Sequence, residues 1–87
     1  MLMIERSAKG AVVVFAVSGE ILADEIAELR RVLESEPDFQ KVLDLKDVTL
    51  VDREAVALLA DCEAGGTLLE NCPSYIREWI VRRRDLD

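Results

Sequence analysis

The stretch Ala11–Val17 most restricts the folds that this chain can adopt, because it holds seven consecutive apolar residues, four of them valine. Valine favours strands, since its branched side chain packs well on a pleated surface. No polar residue alternates with the apolar ones, which predicts a strand buried on both faces. The run is too short to cross a membrane, which takes about 20 apolar residues in a helix. We therefore expect a soluble domain with this strand inside its sheet.

A second stretch, Lys41 to Ala64, has the pattern of a strand, a tight loop and a helix. Its first residues form a short apolar strand, residues 47–51 are expected to turn the chain, and Asp52 is expected to cap the helix. An aspartate suits that position because its carboxylate accepts hydrogen bonds from otherwise unpaired amides of the first turn. Glu54 follows in the same turn, where the helix dipole favours an acid. An exposed loop on a rigid strand is a common location for a binding site.

Glycine and proline positions and the periodicity of apolar residues divide the rest of the chain into strands and helices. The helix over residues 23–35 has one apolar stripe that faces the core. Gly65 is expected to end the second helix in the left-handed conformation, and Trp79 is expected to pack inward from the third. A hairpin turn is expected at residues 7–10. The predicted strands are 2–6, 11–17, 42–45 and 67–70, and the predicted helices are 23–35, 52–64 and a last one from residue 73 or 74 to about 83.

The order of these elements predicts an α/β fold. After the first hairpin, strands alternate with helices, which implies parallel strands joined by right-handed crossovers. We expect one domain over residues 1–87, with a small four-stranded mixed sheet packed by about three helices. In such sheets the carboxyl ends of parallel strands carry the loops that contact ligands or partners. Residues 47–52 are expected at such an end.

The composition excludes several function classes. The chain has no histidine, which excludes histidine-based catalysis and metal binding, and its formal charge of -7 argues against a nucleic-acid-binding surface. Its two cysteines, Cys62 and Cys72, lack the spacing of a metal site and are too few for a secreted disulfide scaffold. No segment has the pattern of a secretory signal. These features predict a cytoplasmic protein with no cofactor and no membrane partner.

The acids and cysteines of these elements are the candidates for chemistry. Asp47 and Asp52 flank the predicted loop and could hold a divalent cation, but turn and cap roles explain both, so we expect no metal. Asp44 lies between two leucines, and alternation places it on the opposite face in a solvated or hydrogen-bonded position. Cys62 is expected as a small buried hydrophobe, and Cys72 as a partly exposed thiol without an activating neighbour.

Three segments of this sequence resemble the STAS domain. They are Val17–Ile21 before the first helix, the strand Val42–Val48, and Val51-Asp52 at the start of the second helix. The STAS family includes the bacterial anti-sigma factor antagonists, and the resemblance covers roughly residues 11–70. It implies a small α/β domain without catalytic activity, which binds a partner kinase that is also an anti-sigma factor. In the family, phosphorylation of a serine or threonine switches that binding off.

The phosphorylation motif of that family, Asp-Ser/Thr-Ser-Gly, corresponds here to Asp52-Arg53-Glu54-Ala55. Only the aspartate is kept, and Glu54 stands at the position of the phosphorylated residue. Without a hydroxyl there, phosphorylation at that position is not expected. A glutamate carries about one negative charge, against roughly -1.5 to -2 for a phosphoserine. One hypothesis is that the site is either fixed in a phosphorylated-like condition or not gated in this way. The simpler interpretation is that Glu54 is a favourable acid in a helix first turn.

Three function classes follow. The leading one is a non-enzymatic interaction module, whose regulatory protein partner is an anti-sigma factor or a kinase-like protein. The residues expected to contact that partner are Thr49, Leu50, Val51, Asp52, Arg53 and Glu54. The alternative is a nucleotide- or small-ligand-binding STAS variant, although the chain has no glycine-rich phosphate loop. A small hydrolase comes third, because neither a Ser-His nor a Cys-His pair can form.

Self-association is a separate expectation. Leu50, Tyr75 and Trp79 lie near predicted surfaces of a small domain. A small domain with more apolar surface than it can cover buries that surface by pairing with a second copy. A homodimer is therefore one expected state of the protein.

Overall fold

The computed structural model of the protein describes residues 2–86, with side chains described up to Arg83. Within those residues the elements follow the predicted order. The strands are β1 (Leu2–Lys9), β2 (Val12–Ile21), β3 (Gln40–Val51) and β4 (Leu68–Glu70). The helices are α1 (Ile26–Glu34), α2 (Arg53–Ala64) and α3 (Ser74–Leu86), and a short 3-10 helix at Ala23–Glu25 precedes α1.

The four strands form one mixed sheet in the order β1-β2-β3-β4. β1 runs antiparallel to β2, whereas β3 is parallel to both β2 and β4. This confirms the predicted α/β fold with a small four-stranded mixed sheet. The first hairpin is tighter than predicted, because β1 continues to Lys9 and only Gly10 and Ala11 form the turn. Gly10 has a φ of 64°, which a residue without a Cβ adopts at little cost.

The hydrophobic core lies on one face of the sheet. Val13, Phe15 and Val17 of β2 are at most 1% exposed, and they share a single cluster with buried residues from all three helices. The positions between them in β2 are only partly buried. The prediction that this strand is buried on both faces is therefore wrong, because the helices cover only one face.

The opposite face of the sheet, named the outer face here, carries an apolar row across three strands. Val14 of β2 pairs with Val42 of β3, which in turn pairs with Leu68 of β4. Val42 is only 5% exposed although it lies outside the core cluster, whereas Leu68 is 54% exposed. The valine-rich run thus reflects contact with cross-strand neighbours on this face, and not a second layer of helices.

β3 continues through the segment that the sequence predicts as a loop. Residues 47–51 belong to the strand, so the predicted turn is wrong. The pairing with β2 shifts twice near the end of β2, and each shift adds one residue to β3. Such β-bulges interrupt the two-residue alternation of a strand. The apolar residues of this half of β3 are consequently buried at every third position, namely Leu45, Val48 and Val51.

A pair of glycines ends α2, and the left-handed residue is the second of them. Gly65 has a φ of -85° and Gly66 a φ of 105°, so the prediction of a left-handed Gly65 is wrong. The amide of Gly66 donates to the carbonyl of Glu63 at 3.1 Å, and the amide of Thr67 donates to the carbonyl of Cys62 at 2.9 Å. These two bonds form a Schellman motif, which places the left-handed residue one position beyond the cap.

Alanine substitutions at the two glycines should have different costs. A Cβ on Gly66 would meet no atom within 4 Å, so Gly66→Ala should lose only the backbone preference, about 1–2 kcal/mol of the free energy of unfolding. A Cβ on Gly65 would lie 3.4 Å from the Asp61 carbonyl oxygen on an ordinary backbone. We expect Gly65→Ala to change the free energy by less than about 1 kcal/mol. Urea unfolding measures both, and equal losses would contradict this assignment.

Candidate functional site

The side chain of Asp52 joins two elements at the start of α2. Its Oδ1 accepts a hydrogen bond from the amide of Ala55 at 3.0 Å, which confirms the predicted N-cap. Its Oδ2 accepts a hydrogen bond from the amide of Ala23 at 2.7 Å, at the first residue of the 3-10 helix. Local sequence signals cannot reveal this second bond, because its partners are 29 residues apart. The two carboxylate oxygens together hold the start of α2 against the segment that leads into α1.

The six residues predicted to contact a partner differ in their exposure. Val51 is only 4% exposed and belongs to the core, so its side chain is not available to a partner. Asp52 is partly buried, with both carboxylate oxygens occupied by backbone amides. The exposed members of the set are Thr49, Leu50, Arg53 and Glu54. The accessible part of the candidate site is therefore the end of β3 together with the first turn of α2.

The first turn of α2 separates two open grooves. The α1 groove is lined by Glu54 together with Ala23, Ile26, Ala27, Arg30, Arg31, Glu34 and Ser35. The α3 groove is lined by Arg53 together with Val56, Tyr75, Glu78, Trp79, Arg82 and Arg83. Arg53 and Glu54 face different grooves because successive side chains on a helix point about 100° apart. A partner that covers this turn would thus meet an acid on one side and a base on the other.

Two aromatic side chains of α3 are exposed at the α3 groove. Tyr75 is 47% exposed and Trp79 is 36% exposed, and the two lie one helical turn apart. The inward-facing residues of this helix are Ile76 and Ile80, which are both fully buried. The prediction that Trp79 packs inward is therefore wrong. Leu50, at 47% exposure, and Tyr75 are exposed as the sequence predicts.

An ion pair fixes α3 against α2. The guanidinium of Arg77 donates two hydrogen bonds to the carboxylate of Glu63, at 2.8 and 2.9 Å. The hydrogen bond with Glu63 raises the pKa of Arg77, which remains charged. Paired contacts of this kind restrict both distance and orientation. The two helices that border the α3 groove are thus linked by a contact with a defined geometry.

Asp44 is hydrogen-bonded, as the sequence predicts. Its Oδ1 accepts hydrogen bonds from the side chain of Asn71 and from the amide of Lys46, both at 3.1 Å. Partial burial alone would raise the pKa of Asp44, but these hydrogen bonds outweigh it and the pKa is lowered. The carboxylate links β3 to the residue that follows β4, which is a structural role.

The cysteines and the remaining acids do not form a reactive cluster in the part of the chain with described side chains. Burial raises the pKa of the Cys62 and Cys72 thiols, so both are protonated at neutral pH. Among the same residues, no three cysteines or acids converge as the ligands of a metal ion would. None of the described helices combines the length and the hydrophobicity that crossing a membrane requires.

Removing the Asp52 carboxylate should loosen the start of α2. We expect Asp52→Ala to lower the free energy of unfolding by about 1–2 kcal/mol, since it removes the cap and leaves the Ala23 amide unpaired. Asp52→Ser keeps one capping oxygen and cannot serve both amides, so we expect about half of that loss. Urea unfolding gives the free energies, and amide hydrogen exchange at Ala23 reports the second bond. Unchanged exchange at Ala23 in both variants would contradict the two-sided role.

The hydrogen bond from Asn71 should be visible in the titration of Asp44. Asn71 has a φ of 53°, so Asn71→Gly keeps the backbone conformation and removes only the side-chain bond. We expect the pKa of Asp44 to rise toward its ordinary value in this variant, as measured by NMR of the carboxyl carbon. An identical Asp44 pKa in the two proteins would show that the bond has no electrostatic effect.

The same bond gives the protein a defined acid sensitivity. Because the folded pKa of Asp44 is lowered, its stabilising contribution is present above the unfolded pKa of about 3.9 and is lost as the pH falls through the folded value. The wild-type protein should therefore lose more stability than Asn71→Gly between about pH 5 and pH 3. Urea unfolding at each pH measures the difference.

Comparison with solved structures finds the same architecture in a known regulator. The structure of the anti-sigma factor antagonist SpoIIAA in its unphosphorylated form matches with a TM-score of 0.68 at 16% sequence identity, covering 90% of this chain and 79% of that one. An uncharacterised DUF3478-family protein from Shewanella loihica PV-4, described as having a SpoIIAA-like fold, matches with a TM-score of 0.58 at 12% identity. That match covers 98% of this chain and 77% of the other.

Neither protein-family models nor curated proteins match this sequence. The structural likeness nevertheless agrees with the fold that the STAS resemblance implies, including the mixed sheet and the three helices. The protein therefore has the STAS-like fold of the anti-sigma factor antagonist SpoIIAA.

Proposed function

We propose that this protein is a non-enzymatic, cytoplasmic interaction module of bacterial transcription regulation. In this proposal it binds a regulatory protein partner, an anti-sigma factor or a kinase-like protein, and phosphorylation at position 54 does not switch the binding. The observation that carries the proposal is the exposed Glu54 in the first turn of α2, in a fold shared with an anti-sigma factor antagonist. The contact surface consists of the exposed residues of the candidate site, Thr49, Leu50, Arg53 and Glu54.

The geometry of this surface supports recognition. Leu50 offers exposed apolar area beside charged Arg53 and Glu54, a mixture typical of protein interfaces. Asp52 fixes the first turn of α2 through two backbone amides, so the charged pair is presented by a rigid element. A rigid surface loses little conformational entropy when a partner binds.

Position 54 decides how such a module is regulated. A glutamate there supplies a permanent negative charge of about one unit, less than a phosphoserine would supply. In one form of the proposal this charge keeps the module in a phosphorylated-like condition with weakened partner binding. In the other form the interaction is not gated at this turn, and Glu54 only interacts favourably with the positive end of the helix dipole.

The alternative function is that of a nucleotide- or small-ligand-binding STAS variant. The observation in favour of this alternative is the lining of the α3 groove, where arginines can contact phosphates while Trp79 or Tyr75 stacks on a base. The chain lacks the glycine-rich loop that surrounds phosphates in many nucleotide sites. Calorimetric titration of the isolated protein with ATP and GTP separates the two functions, since saturable binding would favour the alternative.

Site-specific photo-crosslinking in the native host tests the proposed function. A photoreactive residue at position 50 should form an adduct with one regulatory protein, which mass spectrometry identifies. The same residue at position 7 is the control, because Ser7 is exposed on β1 and lies on the outer face. Adducts that are equal at both positions, or absent at position 50, would contradict the proposal.

The role of position 54 can be tested with the captured partner. Incubated with that partner and ATP, the wild-type protein should acquire no phosphate at residues 52–56, whereas Glu54→Ser should become a substrate. If Glu54 imitates phosphorylation, Glu54→Ala should bind the partner more tightly, by about fivefold or more for a change near 1 kcal/mol. If partner binding is not gated at this turn, the affinity of Glu54→Ala for the partner should stay within about twofold of the wild-type value. Phosphate on the wild-type turn would refute both forms.

A further inference from the structure

The α3 groove is a basic patch on an acidic protein. Among the side chains that the structure describes, three arginines line it against a single acid, Glu78, while the whole chain has a formal charge of -7. The α1 groove has no such excess, because its two arginines are matched by two glutamates. The two grooves beside the first turn of α2 therefore differ in charge, and only the α3 groove favours an anion.

Two of the three arginines have no ion pair within the part of the chain whose side chains are described. Arg82 is paired with Glu78, one turn earlier on α3. Arg53 and Arg83 form no ion pair with any residue whose side chain the structure describes. Arg53 belongs to α2 and Arg83 to α3, so both helices that border the groove contribute an arginine that forms no ion pair with a described side chain.

The groove also concentrates aromatic surface. The chain has only four aromatic side chains, and two of them, Tyr75 and Trp79, line this groove in an exposed position. Val56, which is 1% exposed, lies at its base. Tyrosine, tryptophan and arginine are the residues that contribute most often to the binding energy of protein interfaces.

We infer that the α3 groove binds an acidic peptide segment of the regulatory partner, with an apolar side chain of that segment packed on Tyr75 and Trp79. The inference rests on the proposed function and extends the contact surface from the first turn of α2 to α3. Carboxylates pair with the Arg53 and Arg83 guanidinium groups through charge-assisted hydrogen bonds. The two exposed rings supply the apolar contact.

The negative charge of the whole protein does not oppose this binding strongly. The Debye length is about 8 Å at physiological ionic strength, so charges outside the groove are largely screened while arginines in contact are not. A nucleic acid would continue its phosphates past the groove onto the acidic surface, and it needs a longer row of cations. A short acidic segment matches a groove with a volume of about 670 Å³.

Trp79 provides the direct test, because it is the only tryptophan of the chain. The protein is titrated with a tryptophan-free peptide of about 12 residues, in which acidic residues flank a Leu-Phe pair. We expect a saturable shift of the Trp79 emission to shorter wavelength, and no shift with a control peptide that carries lysine in place of each acid. An unchanged emission with the acidic peptide, or equal binding of the lysine peptide, would overturn the inference.

Surface variants identify the groove as the binding site. Arg83→Glu should weaken peptide binding by about fivefold or more. Lys9→Glu is the matched charge reversal on β1, and it should leave the affinity within about twofold. Tyr75→Ala should also weaken binding while circular dichroism shows an intact fold, since Tyr75 is 47% exposed. Equal affinities of Arg83→Glu and Lys9→Glu would overturn the inference.

The inference and the proposed function fail separately, because Arg83 lies outside the set Thr49–Glu54. The crosslinking at position 50 can be repeated in Arg83→Glu and Tyr75→Ala. Adducts at wild-type yield in both variants would overturn the inference that the groove binds the partner and leave the proposed function intact. Lower yields in these variants but not in Lys9→Glu would support the groove. A shift of the Trp79 emission caused by ATP would assign the groove to a nucleotide and overturn the inference. A shift without peptide that accompanies dimer formation in sedimentation experiments would assign the groove to a second copy and also overturn it.

Discussion

The two hydrogen bonds accepted by Asp52 determine how the candidate site is presented. One bond begins α2 and the other fixes the 3-10 helix, so a single carboxylate sets the position of Arg53 and Glu54 between their grooves. Removing this carboxylate is expected to cost about 1–2 kcal/mol, a sizeable share of the 5–15 kcal/mol that stabilises a typical domain. Asp52 is also the one residue of the STAS phosphorylation motif that the sequence resemblance finds kept here, and its carboxylate shapes the turn.

The fold was largely predictable because its main signals are local. Apolar runs, breakers and the Asp52 cap gave the order of strands and helices, and hence the mixed sheet. The errors arose where a distant element decides the outcome. The bulges of β3 exist only in its pairing with β2. They space the buried apolar residues of its second half three positions apart, a pattern that is not typical of a strand, so the sequence predicts residues 47–51 as a loop. On the outer face of the sheet, the neighbours of the Ala11–Val17 run likewise come from other strands, which a single segment cannot show.

The candidate site was predictable in part, for the same physical reason. The exposure of Leu50 and Glu54 follows from their position beside a helix start, and the structure agrees. The bond from Ala23 to Asp52 and the α3 groove depend on elements that meet only in the fold. The orientation of Trp79 was missed because the apolar stripe of α3 is broader than the surface that covers it, so Ile76 and Ile80 are buried and Trp79 is left at the edge.

The short length of β4 has a consequence for how the sheet resists misassembly. β4 pairs with Val42–Asp44 only, so among the described residues the second half of β3 has no neighbouring strand on that side. A straight strand edge of this kind invites an extended segment of another chain to add to it and begin a fibril. Bulges bend the strand, and the Lys46 amide is already engaged by the Asp44 carboxylate. The same irregularity that made the second half of β3 look like a loop in the sequence thus makes its exposed edge a poor template for intermolecular strand addition.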